Sequence, residues 1–531
     1  MNGLDIRATL ELMVGLLLAV VVLAAVSRRV GLPYPILLVL GGLVLALVPQ
    51  VPQVQLNPDL VLLLLLPPLL FAAAYDTSWR DFRRHKRAIG QLAIGLVCIT
   101  VLAVGVTVHF LVPGIPWAVA FVLGAILSPT DAIAASAIAR HLGLPRPIVA
   151  IVEGESLVND ASALVAYRFA VAAVCTGTFG VGWAAATFAW AVGAGVAVGL
   201  AGGWVIVQVS RRIRDPFILI LFSLVTPYLV WLPAESLRAS GVLAAVTAGL
   251  YAGYHAPTSL RAETRLSAYA VWQTWVLFLN GLAFILLGLQ LRTVLAGFTE
   301  GRVLSVVGLG LLISLVVMLV RIIWVFPSAY LPRVLIPAIG RADPMPPPSA
   351  LLVIGWSGMR GVVSLATALA LPLSTGGDVP FPHRGELIFL AFIVVLVTLL
   401  AEGLTLGPLI RWLGLNGDGG EVAREEQQAR LAAVKAGQAR VRALLAEPWL
   451  PKARAEALEA ALDERRQRLE TKVAQGAEAE KGTGDGYRRL MRELIEAQRS
   501  ELVRLRNEGV IGDEVLRRIE TQLDMEETRV A

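Results

Sequence analysis

The chain has 531 residues, of which 56% are hydrophobic and only 16% charged, and its mean hydropathy is +0.70. Soluble proteins of this length are rarely so apolar, so the composition excludes an ordinary soluble domain and indicates membrane lipid as the main surroundings. Residues 1–414 carry 25 basic and 17 acidic side chains, whereas residues 415–531 carry 21 and 23. The basic excess therefore belongs to the apolar part, and no nucleic-acid partner is indicated.

Apolar runs long enough to cross about 30 Å of hydrocarbon recur along the chain. We predict thirteen spans, at residues 8–27, 32–50, 57–76, 88–112, 116–139, 147–174, 183–209, 216–232, 237–255, 271–291, 302–327, 350–372 and 386–412. Sixteen basic residues follow odd-numbered spans and four follow even-numbered spans, a bias that marks the cytoplasmic side. We therefore expect an all-α polytopic membrane protein with its N-terminus outside and its C-terminus in the cytoplasm.

Span five is interrupted near its middle by Ser128-Pro129-Thr130-Asp131. Proline removes a backbone donor and clashes with the preceding turn, so we expect the helix to break or kink there. Carbonyls freed at membrane depth are tolerated where they face protein or a wet cavity, and there they can coordinate a cation. A plain proline kink is the alternative, which the adjacent carboxylate of Asp131 makes less favoured.

Span six carries a second group of polar residues, Glu153, Glu155, Ser156, Asn159 and Asp160. On a helix, Ser156 and Asp160 are neighbours four residues apart, as are Glu155 and Asn159. Carboxylates inside a membrane are rare and are functional by default, and oxygen atoms are the ligands that hard cations prefer. Asp160 and Asp131 are therefore candidates for one site that takes a cation or a proton.

Span seven contains small residues at helical spacing, Gly195, Gly199 and Gly203. Glycines four residues apart let two helix backbones approach closely, so this stripe predicts a helix-packing surface rather than a binding site.

Span twelve places Arg360 between Gly358 and Gly361, about ten residues into an apolar helix. A lone buried arginine would be very costly, so we expect a carboxylate partner, with Glu155 as the candidate. Such a pair could simply hold helices together, which is compatible with transport. Glu402 in span thirteen is a further interior carboxylate, to which the sequence assigns no role.

Spans five and twelve occupy matching places in two halves of six spans each. Broken helices at corresponding positions are typical of inverted-repeat transporters that bind substrate near the membrane midplane. The predicted architecture therefore contains an inverted repeat with two discontinuous crossing helices.

The chain changes character after Trp412, and residues 413–531 form a predicted cytoplasmic helical tail. Helical periodicity with charged outer faces is found at residues 421–446, 452–475, 486–508 and 512–528. No catalytic or nucleotide-binding signature occurs there. The tail could regulate transport, or it could only stabilise or dimerise the protein.

Three motifs together resemble a known family: SPTD in span five, GESLVND in span six and GMRG in span twelve. They are similar to those of the monovalent cation:proton antiporters of the CPA1 family, the NhaP/NHE-like bacterial Na⁺/H⁺ antiporters. The resemblance covers residues 1–412. It implies a homodimeric transporter of the bacterial cell (inner) membrane that is not an enzyme and has no cofactor beyond the transported Na⁺ and H⁺.

The resemblance further implies a mobile core, about residues 88–174 and 302–412, that slides against dimerisation helices, about residues 8–76 and 216–291. It implies electroneutral exchange of one Na⁺ or Li⁺ for one proton by this elevator-type movement. One position departs from the family pattern, because some members have a glutamate where this chain has Ala72.

Site roles follow from the same motifs. Asp160 would be the main carrier of cation and proton, and Asp131, Ser156 and the carbonyl of Thr130 would complete the Na⁺ site. The resemblance also implies structural roles, namely pairing of Glu155 with Arg360 and control of helix register by Asn159. A proton and a cation competing for one carboxylate would give obligatory exchange.

Three other functions stay open at this point. Exchange of K⁺ for H⁺ on the same fold is the nearest, since cavity dimensions rather than oxygen ligands decide ion size. A cation channel would carry current without stoichiometric pH change. A membrane sensor would bind a ligand or partner through its isolated tail.

Overall fold

A computed structural model describes residues 6–30, 32–49, 61–131, 135, 144–177, 181–295, 300–376, 379–415, 419–444 and 451–475, with isolated positions from 494 onwards. The chain divides into two compact units, residues 1–417 and residues 418–531. The described parts of both units are mainly helical, and the first also contains a short antiparallel hairpin of β1 (Ser374–Gly376) and β2 (Val379–Pro380).

Each of the thirteen predicted spans contains a helix in the described part of the chain. The first unit consists of α1 (Ile6–Val30), α2 (Tyr34–Leu47), α3 (Leu66–Asp76), α4 (Trp79–Leu111), α5 (Trp117–Leu127), α6 (Arg146–Thr176), α7 (Val181–Arg212), α8 (Pro216–Ser236), α9 (Gly241–Ser259), α10 (Ala262–Leu295), α11 (Glu300–Leu335), α12 (Pro337–Ala342), α13 (Pro348–Trp356), α14 (Val362–Leu369) and α15 (Arg384–Trp412). Among the described residues, eight helices are long and apolar enough to cross a membrane. The predicted all-α polytopic class is confirmed.

Both predicted interruptions are present. Helix α5 ends at Leu127, and residues 128–131 are not helical. The second half of this span lies outside the described residues, apart from the helical Ala135. In span twelve, α13 and α14 are separated by the non-helical residues 357–361.

A proline pair near the start of α3 shows how a freed backbone group is satisfied. Pro68 has no N–H to donate to the carbonyl of Leu64, the residue one turn before it. The hydroxyl of Tyr228 on α8 donates to that carbonyl at 2.7 Å. The chain preceding α3, Val61–Leu65, is a π-helical turn. A side chain from another helix therefore replaces the missing backbone bond.

The glycine stripe of α7 packs against α9. A Cβ on Gly195 would lie 2.8 Å from the carbonyl oxygen of Ser240, and one on Gly199 would lie 2.6 Å from that of Ala244. Gly203 also faces α9 at close range. The packing role predicted for these glycines is confirmed, because any side chain there would separate the two backbones.

The second unit contains a helical pair, α16 (Gly419–Leu444) and α17 (Lys452–Gln475). Gln438 Nε2 donates to Asp463 Oδ1 at 2.7 Å, and Arg442 Nε donates to Glu459 Oε1 at 2.6 Å. These helices match the predictions for residues 421–446 and 452–475. The predictions for residues 486–508 and 512–528 lie largely outside the described residues.

Close packing of α2 against α10 leads to a stability prediction. A Cβ on Gly288 would lie 2.7 Å from the backbone nitrogen of Leu43. We expect Gly288→Val to destabilise the protein by about 1–3 kcal/mol, because the two backbones must separate. The measurement is the apparent unfolding temperature of purified protein in detergent.

The matched control is Gly308→Val in α11, where an added Cβ meets no atom within 4 Å among the described residues. Both variants change helix propensity in the same way, so only packing distinguishes them. Equal unfolding temperatures for the two variants would contradict this account of the α2–α10 contact.

Candidate functional site

The two interrupted helices meet each other. The backbone nitrogen of Asp131 donates to the carbonyl oxygen of Met359 at 2.7 Å, which joins the two interruptions directly. A Cβ on Gly361 would lie 2.6 Å from Cγ of Asp131, so only glycine allows this carboxylate to approach the second interruption. The crossing therefore satisfies backbone groups that each interruption frees.

Helix α6 holds the first interruption in place through Thr130. Ser156 Oγ donates to the carbonyl oxygen of Thr130 at 2.7 Å, and Asn159 Nδ2 donates to its hydroxyl at 2.6 Å. The same hydroxyl donates to Glu155 Oε1 at 3.4 Å. All four residues are buried. Helical spacing places the three α6 side chains on the face that contacts this segment.

A cavity of about 770 Å³ adjoins the crossing, and Asp131, Ser156 and Asp160 lie on its wall. Asp160 is 6% exposed, and its Oδ1 has no hydrogen-bond partner among the described residues. The rest of the wall comes mainly from apolar side chains of α3, α8, α9 and α10. Ala72, at the position where some family members have glutamate, is part of this apolar wall.

The polar part of the wall suits a monovalent cation or a proton. Two carboxylates and a hydroxyl supply the hard oxygen atoms that such a cation prefers. The Thr130 carbonyl accepts from Ser156, and a carbonyl oxygen has a second lone pair. The structure thus brings together Asp160, Asp131, Ser156 and Thr130, the four residues expected at the site.

The buried ion pairs differ from the expectation. Glu155 forms a two-pronged ion pair with Arg321 of α11, with Nη2 to Oε2 at 2.8 Å and a second contact from Nη1 to Oε1. Both side chains are fully buried, and Arg321 Nε also donates to the carbonyl of Ile354 at 3.2 Å. The expected pairing of Glu155 with Arg360 is therefore wrong, because Arg321 already contacts both carboxylate oxygens.

Arg360 has a different set of partners. Its Nη1 lies 3.9 Å from Oε1 of Glu402 on α15. Its Nε donates to the carbonyl of Leu127 at 3.2 Å, and its Nη1 donates to that of Gly358 at 2.5 Å. Leu127 ends α5 and Gly358 lies between α13 and α14, so one arginine joins both interruptions.

Sequence reasoning missed Arg321, although a signal was present. Arg321 lies in the apolar run VVMLVRIIWVF of span eleven. An arginine inside an apolar span needs a carboxylate partner, and this argument applies to Arg321 as well as to Arg360. A second arginine inside a span, Arg168 of α6, pairs with Glu235 at 2.9 Å in an exposed contact away from the crossing.

Comparison with known proteins agrees with this architecture. The family described as "Sodium/hydrogen exchanger, transmembrane" matches residues 16–412. The chain belongs to the sodium/hydrogen exchanger family. It is accordingly a multi-pass membrane protein of a family of transporters, as the motifs in spans five, six and twelve had indicated.

Individual relatives extend the comparison. An uncharacterised Na⁺/H⁺ exchanger of Mycobacterium tuberculosis is 34% identical over 98% of this chain and 96% of its own length. The sodium, potassium, lithium and rubidium/H⁺ antiporter of Bacillus subtilis is 33% identical, over 73% of this chain and 59% of its own. The solved sodium proton antiporter of Methanocaldococcus jannaschii has the same fold, with a TM-score of 0.60 at 19% identity over 78% of this chain and 99% of that one.

The Glu155–Arg321 pair leads to a prediction about stability. Removing one partner of a buried ion pair leaves the other charge unbalanced, so we expect Glu155→Gln to destabilise the protein by about 3–5 kcal/mol. The apparent unfolding temperature in detergent measures the effect.

Arg168→Gln is the control, because it breaks an ion pair whose arginine side chain is 46% exposed. Exposed pairs contribute about 1 kcal/mol or less, so this variant is expected to unfold near the wild-type temperature. A Glu155→Gln protein as stable as the control would show that the pair is not needed to hold α6 and α11 together.

Proposed function

We propose that the protein exchanges Na⁺, or Li⁺, for H⁺ across the cell membrane, and that cation and proton compete for Asp160. The observation that carries this proposal is the meeting of Asp131, Ser156 and Asp160 at one cavity beside two interrupted helices. The buried Oδ1 of Asp160 has no hydrogen-bond partner among the described residues, which leaves its lone pairs available to a cation or a proton.

Competition at one carboxylate explains the exchange. A proton and a cation each neutralise the same charge, so binding of one displaces the other. An ionised carboxylate is costly to carry through the membrane interior, which favours crossing only when the site is neutralised. Each crossing then moves one proton or one monovalent cation. The predicted stoichiometry is therefore 1:1 and electroneutral.

An elevator-type movement fits the position of the cavity. Asp131, Ser156 and Asp160 on its wall belong to the predicted core at residues 88–174 and 302–412. Its apolar wall comes largely from α3, α8, α9 and α10. We propose that the core slides along these helices, because an apolar surface offers few hydrogen bonds that would have to break.

The cavity extends toward the side predicted to be cytoplasmic. Asp76 and Thr77 at the end of α3, Ser259 at the end of α9 and Arg265 of α10 all contribute to its wall. Each lies next to a loop that is rich in basic residues, which marks the cytoplasmic side. We propose that this is the inward-facing state, with the N-terminus outside and the C-terminus inside a bacterial cell.

A K⁺/H⁺ antiporter is the second candidate. The Bacillus subtilis relative is named for sodium, potassium, lithium and rubidium, and the site is built from oxygen atoms that do not select ion size by themselves. The deciding experiment is exchange in proteoliposomes with Na⁺, Li⁺ and K⁺ at several pH values, with the membrane potential clamped and unclamped. Equal rates in both electrical conditions are expected, whereas a net current would indicate a channel.

Two assembly proposals accompany this function. We propose a homodimer through α1–α3 and α8–α10, since these helices form the fixed side in the elevator scheme. We propose that the tail supports dimerisation or regulates the rate of transport. It would not make the protein a membrane sensor that binds a ligand through the tail. A chain ending after Trp412 that still exchanges cations would separate transport from the tail.

The central prediction concerns Asp160→Asn. An amide has nearly the same shape but cannot bind and release a proton, so we expect loss of proton-coupled Na⁺ flux. The measurement is Na⁺-driven pH change in proteoliposomes, with protein incorporation quantified.

The control is Asp343→Asn, which removes an exposed carboxylate that contacts Arg87 and Arg333. We expect near-normal exchange from this variant. Full antiport by the Asp160→Asn protein would refute the assignment of Asp160, whatever the control does.

A further inference from the structure

Glu402 is a buried carboxylate that the exchange mechanism does not use. It lies on α15, is 1% exposed, and neither of its carboxylate oxygens accepts a hydrogen bond from a side chain among the described residues. The nearest cationic group is Arg360, 3.9 Å away and fully buried. A carboxylate in such surroundings needs either a counter-charge or a proton.

Apart from the site carboxylates Asp131 and Asp160, the crossing has a group of four buried charges among the described residues, with Arg321 and Arg360 opposed to Glu155 and Glu402. Both oxygens of Glu155 contact Arg321, so Glu155 is already paired with that arginine. Only Glu402 is paired with Arg360 among the described ion pairs. Ionised Glu402 makes the group electrically neutral, whereas protonated Glu402 would leave one positive charge in excess.

Arg360 in turn determines the geometry of the crossing. It donates to the carbonyl of Leu127 at the end of α5 and to that of Gly358 in the second interruption. Its own backbone nitrogen donates to Thr398 Oγ1 at 3.3 Å, and Thr398 lies one turn before Glu402 on α15. The next residue, Gly361, is the one against which the Asp131 carboxylate packs.

We propose that Glu402 is a positioning residue for the exchange site, and that its negative charge balances Arg360 and so preserves the site's affinity for the cation. Without that charge, Arg360 presents an unbalanced positive charge in the second interruption, whose next residue, Gly361, packs against the Asp131 carboxylate, and this charge repels a cation bound at the site. The proposal deepens the proposed exchange function and rests on it.

The test compares two Glu402 variants with a control. Glu402→Gln keeps the shape of a protonated carboxyl group but removes the charge, whereas Glu402→Asp keeps the charge on a shorter side chain. Glu235→Gln, in the exposed pair with Arg168, makes the same chemical change away from the crossing. Two quantities are measured: the KM for Na⁺ in proteoliposomes, and the Na⁺ concentration that gives half of the maximal thermal stabilisation of purified protein.

We expect Glu402→Gln to raise both Na⁺ concentrations several-fold, with Glu402→Asp closer to wild type and Glu235→Gln unchanged. Wild-type values for Glu402→Gln would overturn the proposal, because they would mean that the site does not sense a charge on Glu402. Equal impairment by Gln and Asp would also overturn it, because shape rather than charge would then be responsible.

If Glu402→Gln does not yield folded protein, Glu402→Asp decides the matter, because it keeps the charge while shortening the side chain. Wild-type Na⁺ concentrations in this variant support the proposal, and a several-fold rise overturns it. Absence of exchange in the wild-type protein would contradict the proposed function instead, since the comparison of Na⁺-dependent stabilisation needs no transport.

Discussion

The hydrogen bond from the backbone of Asp131 to the carbonyl of Met359 is the contact on which the site depends. Lipid offers no partners for freed backbone groups, so an interrupted helix persists in a membrane only where protein satisfies them. Here the backbone amide of one interruption and a backbone carbonyl of the other satisfy each other. The close approach at Gly361 follows from the same contact, which brings the Asp131 carboxylate against the second interruption.

Buried arginines stabilise the ends of the broken helices. Arg321 donates to the carbonyl of Ile354 near the end of α13, and Arg360 donates to that of Leu127 at the end of α5. Helix C-termini carry partial negative charge, so each cation suits its position. Each arginine also has a carboxylate, Glu155 or Glu402, which limits the penalty of burying it. In the proposed exchange, this rigid support leaves Asp160 as the group that gains and loses the proton.

The two sides of the cavity differ in polarity, and this difference bears on the proposed transport mechanism. The crossing and α6 contribute Asp131, Ser156 and Asp160 to the cavity wall, while the facing wall is mainly apolar and includes Ala72. In the proposed elevator scheme, the core would hold the cation, and the mainly apolar facing surface would let it slide with the loss of few hydrogen bonds. Close glycine contacts of α7 with α9, and of α2 with α10, keep the remaining helices in tight packing.

The sequence by itself determined the membrane class and both interruptions, and it singled out the residues of the proposed site, because apolar length, proline and intramembrane charge are local signals. It also indicated the family through the motifs around Asp131, Asp160 and Arg360. Only the tertiary structure decided which buried charges pair. Glu155 was matched with Arg360 from sequence, yet Arg321 contacts it, because the choice depends on how α6, α11 and α15 pack in space. Spacing along one helix cannot specify a partner on another.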